Sequence, residues 1–354
     1  MLLCLVFLYL IYIAIEFLVP LPTGTRTSEI QIPQGATFRQ AIDILSKEKL
    51  IRDKNLFLFI GRLTGLHRKI RAGYYSITGS MNPLDILILL KNGQIVEYDI
   101  TVVEGDSLLE IGEKLIEKNI GDRETFRKIA KDSDFLKSFN IDAPSIEGYL
   151  FPDTYKMPKG IEIENALAMM INSMRAKYPA KLQERAAGLG LTENEVLTLA
   201  SIIEKEAIIN SERPLISAVY HNRLKKRMLL QADPTAVYGI KSSKERITMS
   251  DLRRKTLYNT YVIKGLPPGP IASPGIKSIE AALYPADERY LYFVSNNDGT
   301  HQFSVTAEEH ITAVKAYREM RKIDKEIEKL KEKEKQKETG KEKNNNGVKV
   351  NGRS

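Results

Sequence analysis

The sequence predicts an α+β protein that consists of an N-terminal membrane helix, small α/β modules and a larger mixed α+β domain. Three observations predict this fold: an apolar opening segment, a repeat of strand, turn and helix, and a helical periodicity that gives way to a strand hairpin. The expected boundaries are 1–20 for the membrane helix, 28–97 for one small module, 98–160 for a second small module with a linker, 161–321 for the mixed domain and 322–354 for a charged, disordered tail.

The chain opens with MLLCLVFLYLIYIAIEFLVPLP, in which Glu16 is the one charged residue between Leu2 and Val19. About 20 apolar residues suffice to cross a bilayer. A cleaved signal peptide is the competing interpretation, but the segment lacks a basic start and a small-residue cleavage site before Pro20. We therefore expect an uncleaved anchor. Few Lys or Arg residues flank it, so charge does not set its orientation.

The cysteine and histidine content limits which disulfides and metal sites the chain can form. Cys4 is the only cysteine, so no disulfide can form within the chain. Four histidines, with no Cys pair and no HExxH motif, do not form the pattern of a zinc site. We therefore expect neither a metal nor another cofactor.

The net charge of +8 raises the question of a nucleic-acid partner. The basic residues are dispersed among acidic ones, and aromatic residues do not interleave with basic clusters, so we expect no nucleic-acid binding. From Arg321 onward the chain is almost free of apolar residues, which predicts a frayed helix followed by disorder. A solvated tail is favoured there over a polyanion-binding one.

A repeat relates IPQGATFRQAIDILSKEKLIRDKNLF to VVEGDSLLEIGEKLIEKNIGDRETF. Each copy has a short strand, a glycine (Gly35, Gly105), an N-cap candidate (Thr37, Ser107) and an amphipathic helix. This order resembles the LysM-like peptidoglycan-associated module. Glycan binding and a spacer role without a ligand are both compatible with it.

The following domain has three further local signals. The stretch SIEGYLFPDTY, 145–155, is a linker or edge segment, and helical periodicity begins at Ile161. The stretch YLYFVSNNDGTHQFSV predicts a hairpin whose turn is Asn-Asp-Gly. Thr306 followed by Glu309 predicts the start of the last ordered helix.

Two glutamates interrupt the apolar helix LTLASIIEKEA, 197–207. At about 100° per residue, Glu204 lies in the middle of an apolar face, and Glu206 points nearly opposite, also among aliphatic residues. For Glu206 the ordinary interpretation is an ion pair at the domain edge, for instance with Arg213 or with another basic residue. For Glu204 the wheel leaves function and structure equally open.

A carboxyl group held among aliphatic side chains has a raised pKa and can donate a proton near neutral pH. Protonation of the leaving oxygen is what cleavage of a glycosidic bond requires. Hydrolases need a second carboxylate, and none stands out downstream. Asp233 precedes Pro234 and is expected to be a helix N-cap, Asp251 lies at a helix start and Asp298 in the hairpin turn.

Several motifs occur together in one order: EGYLFPDTY, LASIIEKEA, NRL, LQADPTAVYG, YNTYVIKGLPPGPIASPG and YLYFVSNNDGTHQFS. In these motifs the chain resembles the YceG-like (MltG) endolytic murein transglycosylases, from the anchor through Arg318. The resemblance implies that 161–321 is a catalytic domain and that Glu204 is the general acid and base. It also implies attachment to the bacterial cytoplasmic membrane by one helix, with the catalytic domain outside the cytoplasm.

The resemblance implies cleavage of MurNAc-GlcNAc bonds within nascent glycan strands, with 1,6-anhydroMurNAc ends as the product. The C6 hydroxyl of the sugar attacks its own C1, so no second acid is required. Peptidoglycan strands, the membrane and peptidoglycan synthases are the partners that the resemblance allows. A non-catalytic peptidoglycan-binding scaffold and an ordinary hydrolase are the alternatives.

Site-lining candidates come from the same motifs and are polar or aromatic groups suited to sugar hydroxyls and rings. Each has a structural alternative, such as a core aromatic or a turn asparagine. The proline-rich GLPPGPIASPG is expected to form a rigid loop that walls the cleft. The substrate-binding candidates are Gln231, Asp233, Tyr238, Asn259, Tyr261, Asn297, His301 and Phe303, with Tyr258 beside them.

Overall fold

The computed structural model of the chain describes residues 2–20, 27–65, 70–241, 245–323, 326 and 331–332. They form two compact units. Unit one comprises Met1–Val103, Leu109–Ile129 and Pro152–Asn172, and unit two comprises Glu104–Leu108, Ala130–Phe151 and Ser173–Ser354.

The mixed α+β class is confirmed, with helices dominating and three two-stranded antiparallel sheets among the described residues. The elements up to residue 158 are α1 (Leu2–Leu18), β1 (Thr27–Ile32), α2 (Phe38–Lys47), α3 (Lys54–Leu63), β2 (Gly73–Thr78), α4 (Pro83–Asn92), β3 (Glu97–Thr101), α5 (Leu108–Glu117), α6 (Arg123–Ile129), α7 (Ser133–Ser138) and β4 (Thr154–Pro158).

The remaining elements are mostly helical. They are α8 (Ile163–Lys177), α9 (Ala180–Gly188), α10 (Glu193–Glu206), a 3₁₀ turn (Asn210–Glu212), α11 (Arg213–Lys225), α12 (Asp233–Val237), α13 (Met249–Leu252), α14 (Ile276–Leu283), β5 (Tyr292–Ser295), β6 (His301–Ser304) and α15 (307–323).

Unit one contains the repeated strand and helix order. β1 pairs with β2 and β3 pairs with β4, both antiparallel. In the first copy Thr37 caps α2 through a capping box with Gln40, as predicted, and the apolar face of α2 is buried. In the second copy α5 begins directly after Ser107. The predicted limits at 97/98 and 160/161 remain predictions, and the two compact units divide the chain elsewhere.

The helix α1 is 17 residues long, and in the described part of the chain no helix is long and apolar enough to cross a membrane. The predicted anchor at 1–20 is therefore not supported. The last turn of α1 packs on the rest of unit one, where the Phe17 ring stacks on the Phe57 ring with 4.6 Å between the ring centroids. The Arg52 guanidinium donates to the carbonyls of Val19 and Pro20 at 2.9 Å.

The centre of unit two is α10, whose residues Val196–Ile203 are buried without interruption. It starts with a capping box between Thr192 and Glu195, and it packs most closely against α14 and then α11. Packing on several sides explains why the helix is apolar all round rather than along one stripe. Its last residues reach the edge of this core.

The predicted hairpin and final helix are confirmed. β5 and β6 pair from Tyr292↔Ser304 to Ser295↔His301, and Asn297 and Gly299 take positive φ values of 67° and 89° in the turn. Thr306 and Glu309 exchange backbone-to-side-chain hydrogen bonds at the start of α15. Most of the predicted disordered tail, 333–354, lies outside the described residues.

Candidate active site

The last turn of α10 directs three consecutive polar side chains to three different places. The Lys205 ammonium donates to the Gly105 carbonyl at 3.1 Å. Glu204 and Glu206, separated by about 200° around the helix axis, face different partners. These partners decide what each carboxyl group can do.

Glu204 is 5% exposed, and both of its oxygens have donors. The Arg213 guanidinium lies 2.9 Å from Oε1, and the Gly275 N–H donates to Oε2 at 2.9 Å. A Cβ at position 275 would collide with the Glu104 carboxylate, so glycine is required there. A proton on either Glu204 oxygen would displace one of the two donors.

Arg213 is the residue that sequence reasoning offered as the ion-pair partner of Glu206. The structure pairs it with Glu204 instead, and the Arg213 guanidinium also donates to Asn210 and Ser278. The reason is geometric: Arg213 begins α11 on the side of α10 that carries Glu204. That proposed partner for Glu206 was wrong.

Glu206 has the surroundings of a proton donor. Its carboxyl group accepts hydrogen bonds from the Tyr220 hydroxyl and the Asp233 backbone N–H. Burial, followed by the negative charge of the Asp233 side chain, raises the pKa of Glu206 to about 8, against the opposing effect of Arg223. A carboxyl group with this pKa carries a proton at neutral pH.

Asp233 adjoins Glu206 and is itself held by a tyrosine. The Tyr261 hydroxyl donates to Oδ1 of Asp233, and burial with this bond raises the pKa of Tyr261. The expectation that Asp233 caps α12 was wrong. Ala232 occupies the cap position without a side-chain bond, and Asp233 is the first helical residue.

The two amide candidates are built into the neighbouring loops. Gln231 has a positive φ of 52°, and its backbone N–H donates to the Thr260 carbonyl. Asn259 is fully buried, and its Nδ2 lies within hydrogen-bonding distance of carbonyls of the 251–254 segment. Its Oδ1 accepts the Tyr261 N–H at 3.0 Å. The Asn259 amide therefore holds the loop, and its role in substrate binding stays a prediction.

Tyr238 belongs to a different group of residues. Its hydroxyl donates to Oε2 of Glu147 at 2.7 Å, and its ring lies 4.6 Å from that of Tyr258. Burial and Glu147 raise the pKa of Tyr238. Glu147 is 2% exposed and also accepts the Leu108 N–H on both oxygens. Sequence reasoning read this stretch as a linker and missed the buried carboxylate.

The hairpin candidates divide into two sets. The His301 ring and backbone N–H both bond to Glu212, at 2.7 and 2.9 Å. The His301 and Phe303 rings pack near Phe293, whose ring meets that of Tyr220 edge-on at 6.0 Å. Asn297 instead lies exposed in the turn.

Sequence reasoning named neither Tyr220 nor Arg223, although both surround Glu206. Their spacing of three residues could have indicated that both lie on one face of the same helix. A cavity of about 630 Å³ lies at the opposite end of α10, where Thr192–Glu195 and Gly265–Pro268 line it. Neither glutamate of the last turn borders that cavity.

Comparison with known proteins identifies the family. The family model described as YceG-like family matches residues 30–316. The chain belongs to the YceG-like family. The match includes both glutamates in the last turn of α10 and every residue that surrounds them.

Individual relatives agree with this assignment. The chain is 31% identical over 322 residues to a protein of Bacillus subtilis named endolytic murein transglycosylase, covering 85% of this chain and 88% of that one. A Streptococcus pneumoniae protein of the same name is 27% identical, covering 84% of this chain and 59% of that one. A crystal structure of a yceG-like protein from Listeria monocytogenes is 32% identical, with a TM-score of 0.56, and covers 82% of this chain and all of that one.

Proposed function

We propose that this chain is a peptidoglycan lytic transglycosylase that cuts glycan strands internally, with Glu206 as its general acid and base. The relatives named endolytic murein transglycosylase support the substrate and the reaction class. The observation that carries the assignment of the residue is the environment of Glu206, a carboxyl group with a pKa raised to about 8 beside Tyr220 and Asp233.

The reaction then runs in two proton transfers. The Glu206 carboxyl gives its proton to the glycosidic oxygen as the bond from that oxygen to C1 of the muramyl sugar breaks. The C6 hydroxyl oxygen of the same sugar forms a bond to C1, and its proton passes to the Glu206 carboxylate. The products are a free hydroxyl on the leaving strand and a 1,6-anhydro end, and Glu206 is again protonated.

Glu206 replaces Glu204 in this role because a general acid must hold a transferable proton. Glu204 is paired with the Arg213 guanidinium, and it also accepts the Gly275 N–H, so donors occupy both of its oxygens. Glu206 has no such ion pair among the described residues, and a neighbouring carboxylate opposes its ionisation.

An internal nucleophile explains why one acid suffices. The C6 hydroxyl is tethered near C1, and effective molarities of such groups reach about 10⁵ M or more. Asp233 is the second carboxylate at this place, and its Oδ1 is occupied by the Tyr261 hydroxyl. The second candidate function is hydrolysis, with the Asp233 carboxylate as the base that activates water. Only the proximity of Asp233 to Glu206 favours it.

The decisive experiment compares Glu204→Gln and Glu206→Gln in the full chain on purified peptidoglycan. We expect Glu206→Gln to abolish cleavage in a folded protein. The folded Glu204→Gln variant should still cleave peptidoglycan. Products of the native chain in oxygen-18 water should be unlabelled 1,6-anhydro ends by mass spectrometry. Labelled reducing ends indicate a hydrolase, and a binding protein without cleavage indicates the scaffold alternative.

The substrate also bears on where the protein works. Murein lies outside the cytoplasm, so we place the working site on the outer side of the bacterial cytoplasmic membrane. Attachment through residues 1–20 and association with peptidoglycan synthases belong to the same proposal. Cell fractionation of chains with and without residues 1–27 tests the attachment, and cross-linking in growing cells tests the association.

A further inference from the structure

Asp233 lies where two loops of unit two are joined by a dense set of hydrogen bonds. The Gln231 and Ala232 N–H groups donate to the carbonyl and hydroxyl of Thr260, at 3.1 and 2.9 Å. The hydroxyls of Thr235 and Thr260 lie 2.8 Å apart, and both residues are fully buried. These bonds fix the backbone on both sides of Asp233, so its side chain has a defined direction.

One contact connects Asp233 to the proposed acid, and another connects it to Tyr261. Its backbone N–H donates to the Glu206 carboxyl group, and its side-chain Oδ1 accepts the Tyr261 hydroxyl. In the described part of the chain Asp233 takes part in no ion pair. Its charge therefore acts on Glu206 without a neutralising cation of its own. Sequence reasoning had placed Asp233 among the substrate-binding residues.

We propose that Asp233, oriented by the Tyr261 hydroxyl, is a positioning residue that keeps the proton on Glu206 in the resting site and sets the upper pH limit of cleavage. This inference rests on the proposed function of Glu206. Two carboxylates at one place cannot both ionise easily, so the ionised partner holds the proton on the other. Asp233 then takes no proton from the substrate.

The charged and titratable groups around Glu206 come from three elements. Tyr220 and Arg223 face it from α11, Asp233 from α12, and Tyr261 from the loop after Asn259. Arg223 and the Tyr220 hydrogen bond favour the ionised form of Glu206, and Asp233 opposes them. Removing the Asp233 charge leaves burial alone to oppose ionisation, and the pKa of Glu206 should fall.

The test is the pH profile of kcat/KM for cleavage of purified peptidoglycan by the full chain, from about pH 5 to about pH 9. Asp233→Asn should shift the alkaline limb to lower pH by about one unit, so activity at pH 8 falls about fivefold while activity at pH 5 is kept. Tyr261→Phe should shift it in the same direction by less, because the Asp233 carboxylate loses its orienting donor.

Two further variants sharpen the comparison. The double variant Asp233→Asn/Tyr261→Phe should shift the limb no further than Asp233→Asn alone, because Tyr261 acts through Asp233. Asp134→Asn is the matched control, since its side chain is 92% exposed on α7, and its profile should coincide with that of the native chain. Melting temperatures verify folding, and Tyr261→Phe keeps the test decisive where Asp233→Asn does not fold.

The outcomes separate this inference from the proposed function. If Asp233→Asn lowers kcat/KM by the same factor at every pH and the alkaline limb does not move, the positioning role of Asp233 is refuted. Asp233 is then a substrate-binding residue. If the native chain produces reducing ends labelled with oxygen-18 and Asp233→Asn does not, Asp233 is a hydrolytic base and the positioning role is refuted. Retained cleavage in Glu206→Gln instead refutes the assignment of Glu206, whatever the Asp233 profiles show.

Discussion

At the end of α10, Glu204 meets a guanidinium and a backbone N–H, whereas Glu206 meets a phenol hydroxyl, a backbone N–H and a second carboxylate. The two carboxyl groups differ in the donors and charges that surround them, rather than in how deeply they are buried. A cation at hydrogen-bond distance supports an anion, and a neighbouring carboxylate supports a bound proton.

Glu204→Gln should destabilise the protein, because it leaves the buried Arg213 guanidinium without a counter-charge. Breaking one partner of a buried ion pair reduces the free energy of unfolding by about 3–5 kcal/mol. Urea denaturation of the full chain measures this change. The double variant Glu204→Gln/Arg213→Gln should lose less than the sum of the two single variants. An unchanged free energy of unfolding in Glu204→Gln contradicts the structural role.

Glu206→Gln should stabilise the protein increasingly as pH rises from about 5 to about 8. The pKa of Glu206 is about 8 in the folded chain, against about 4.3 for an unfolded glutamate. Within this window the folded state binds more protons than the unfolded state. The native chain therefore loses stability as pH rises, and the glutamine variant does not.

Melting temperatures of both proteins across this pH range provide the measurement. Glu184→Gln, a change at an exposed residue of α9, is the control and should differ from the native chain by a constant amount. A difference between Glu206→Gln and the native chain that does not vary with pH means that Glu206 is ionised throughout, and this would remove the proton donor from the site.

At the scale of elements, the hairpin β5–β6 is fixed to the 3₁₀ turn that follows α10. Glu212 on this turn is 9% exposed and accepts both the backbone N–H and the ring nitrogen Nδ1 of His301. The hairpin in turn places Phe293 edge-on against Tyr220, which donates to Glu206. The link therefore supports the surroundings of the proposed acid from outside.

Glu212→Ala should lower both stability and turnover. The loss of two hydrogen bonds from a buried carboxylate is expected to reduce the free energy of unfolding by about 2–3 kcal/mol. Turnover should fall several-fold, because the hairpin that places Phe293 against Tyr220 loses its link to the 3₁₀ turn. Glu212→Ala/His301→Ala should be little worse than either single variant. Gln302→Ala, at an exposed position of β6, is the control. Fully additive losses would show that the two residues act independently.

At the scale of the whole molecule, the chain divides its roles between two units. Unit two contains Glu206 and all the groups that surround it, whereas α1 and the strand pairs β1–β2 and β3–β4 belong to unit one. Both α1 and the first strand pair therefore lie outside the part of the protein that performs the proposed chemistry.

Removal of residues 1–27 should leave cleavage of purified peptidoglycan within a few-fold of the native rate. Unit one loses the Phe17–Phe57 stack, so its melting temperature should fall, but the groups around Glu206 are unchanged. Turnover and thermal unfolding of the truncated chain test both statements. Loss of cleavage in a truncated chain that remains folded contradicts the division of roles.

Local sequence chemistry determined the elements of this protein. The Asn-Asp-Gly turn, the capping residues Thr37 and Thr306 and the apolar run of α10 are local signals, and the structure has all of them. Family-specific motifs likewise determined the YceG-like assignment. These features depend on residues a few positions apart, whose geometry is set by backbone propensities and periodicity.

The tertiary structure alone decided which groups surround each glutamate. The helix wheel placed both Glu204 and Glu206 among apolar residues, but it could not say that Arg213 and Gly275 reach the first and Asp233 the second. It also could not show that the Asn259 amide is used within its own loop. Periodicity gives the face on which a side chain lies, whereas its ionisation depends on charges and donors that distant segments bring to that face.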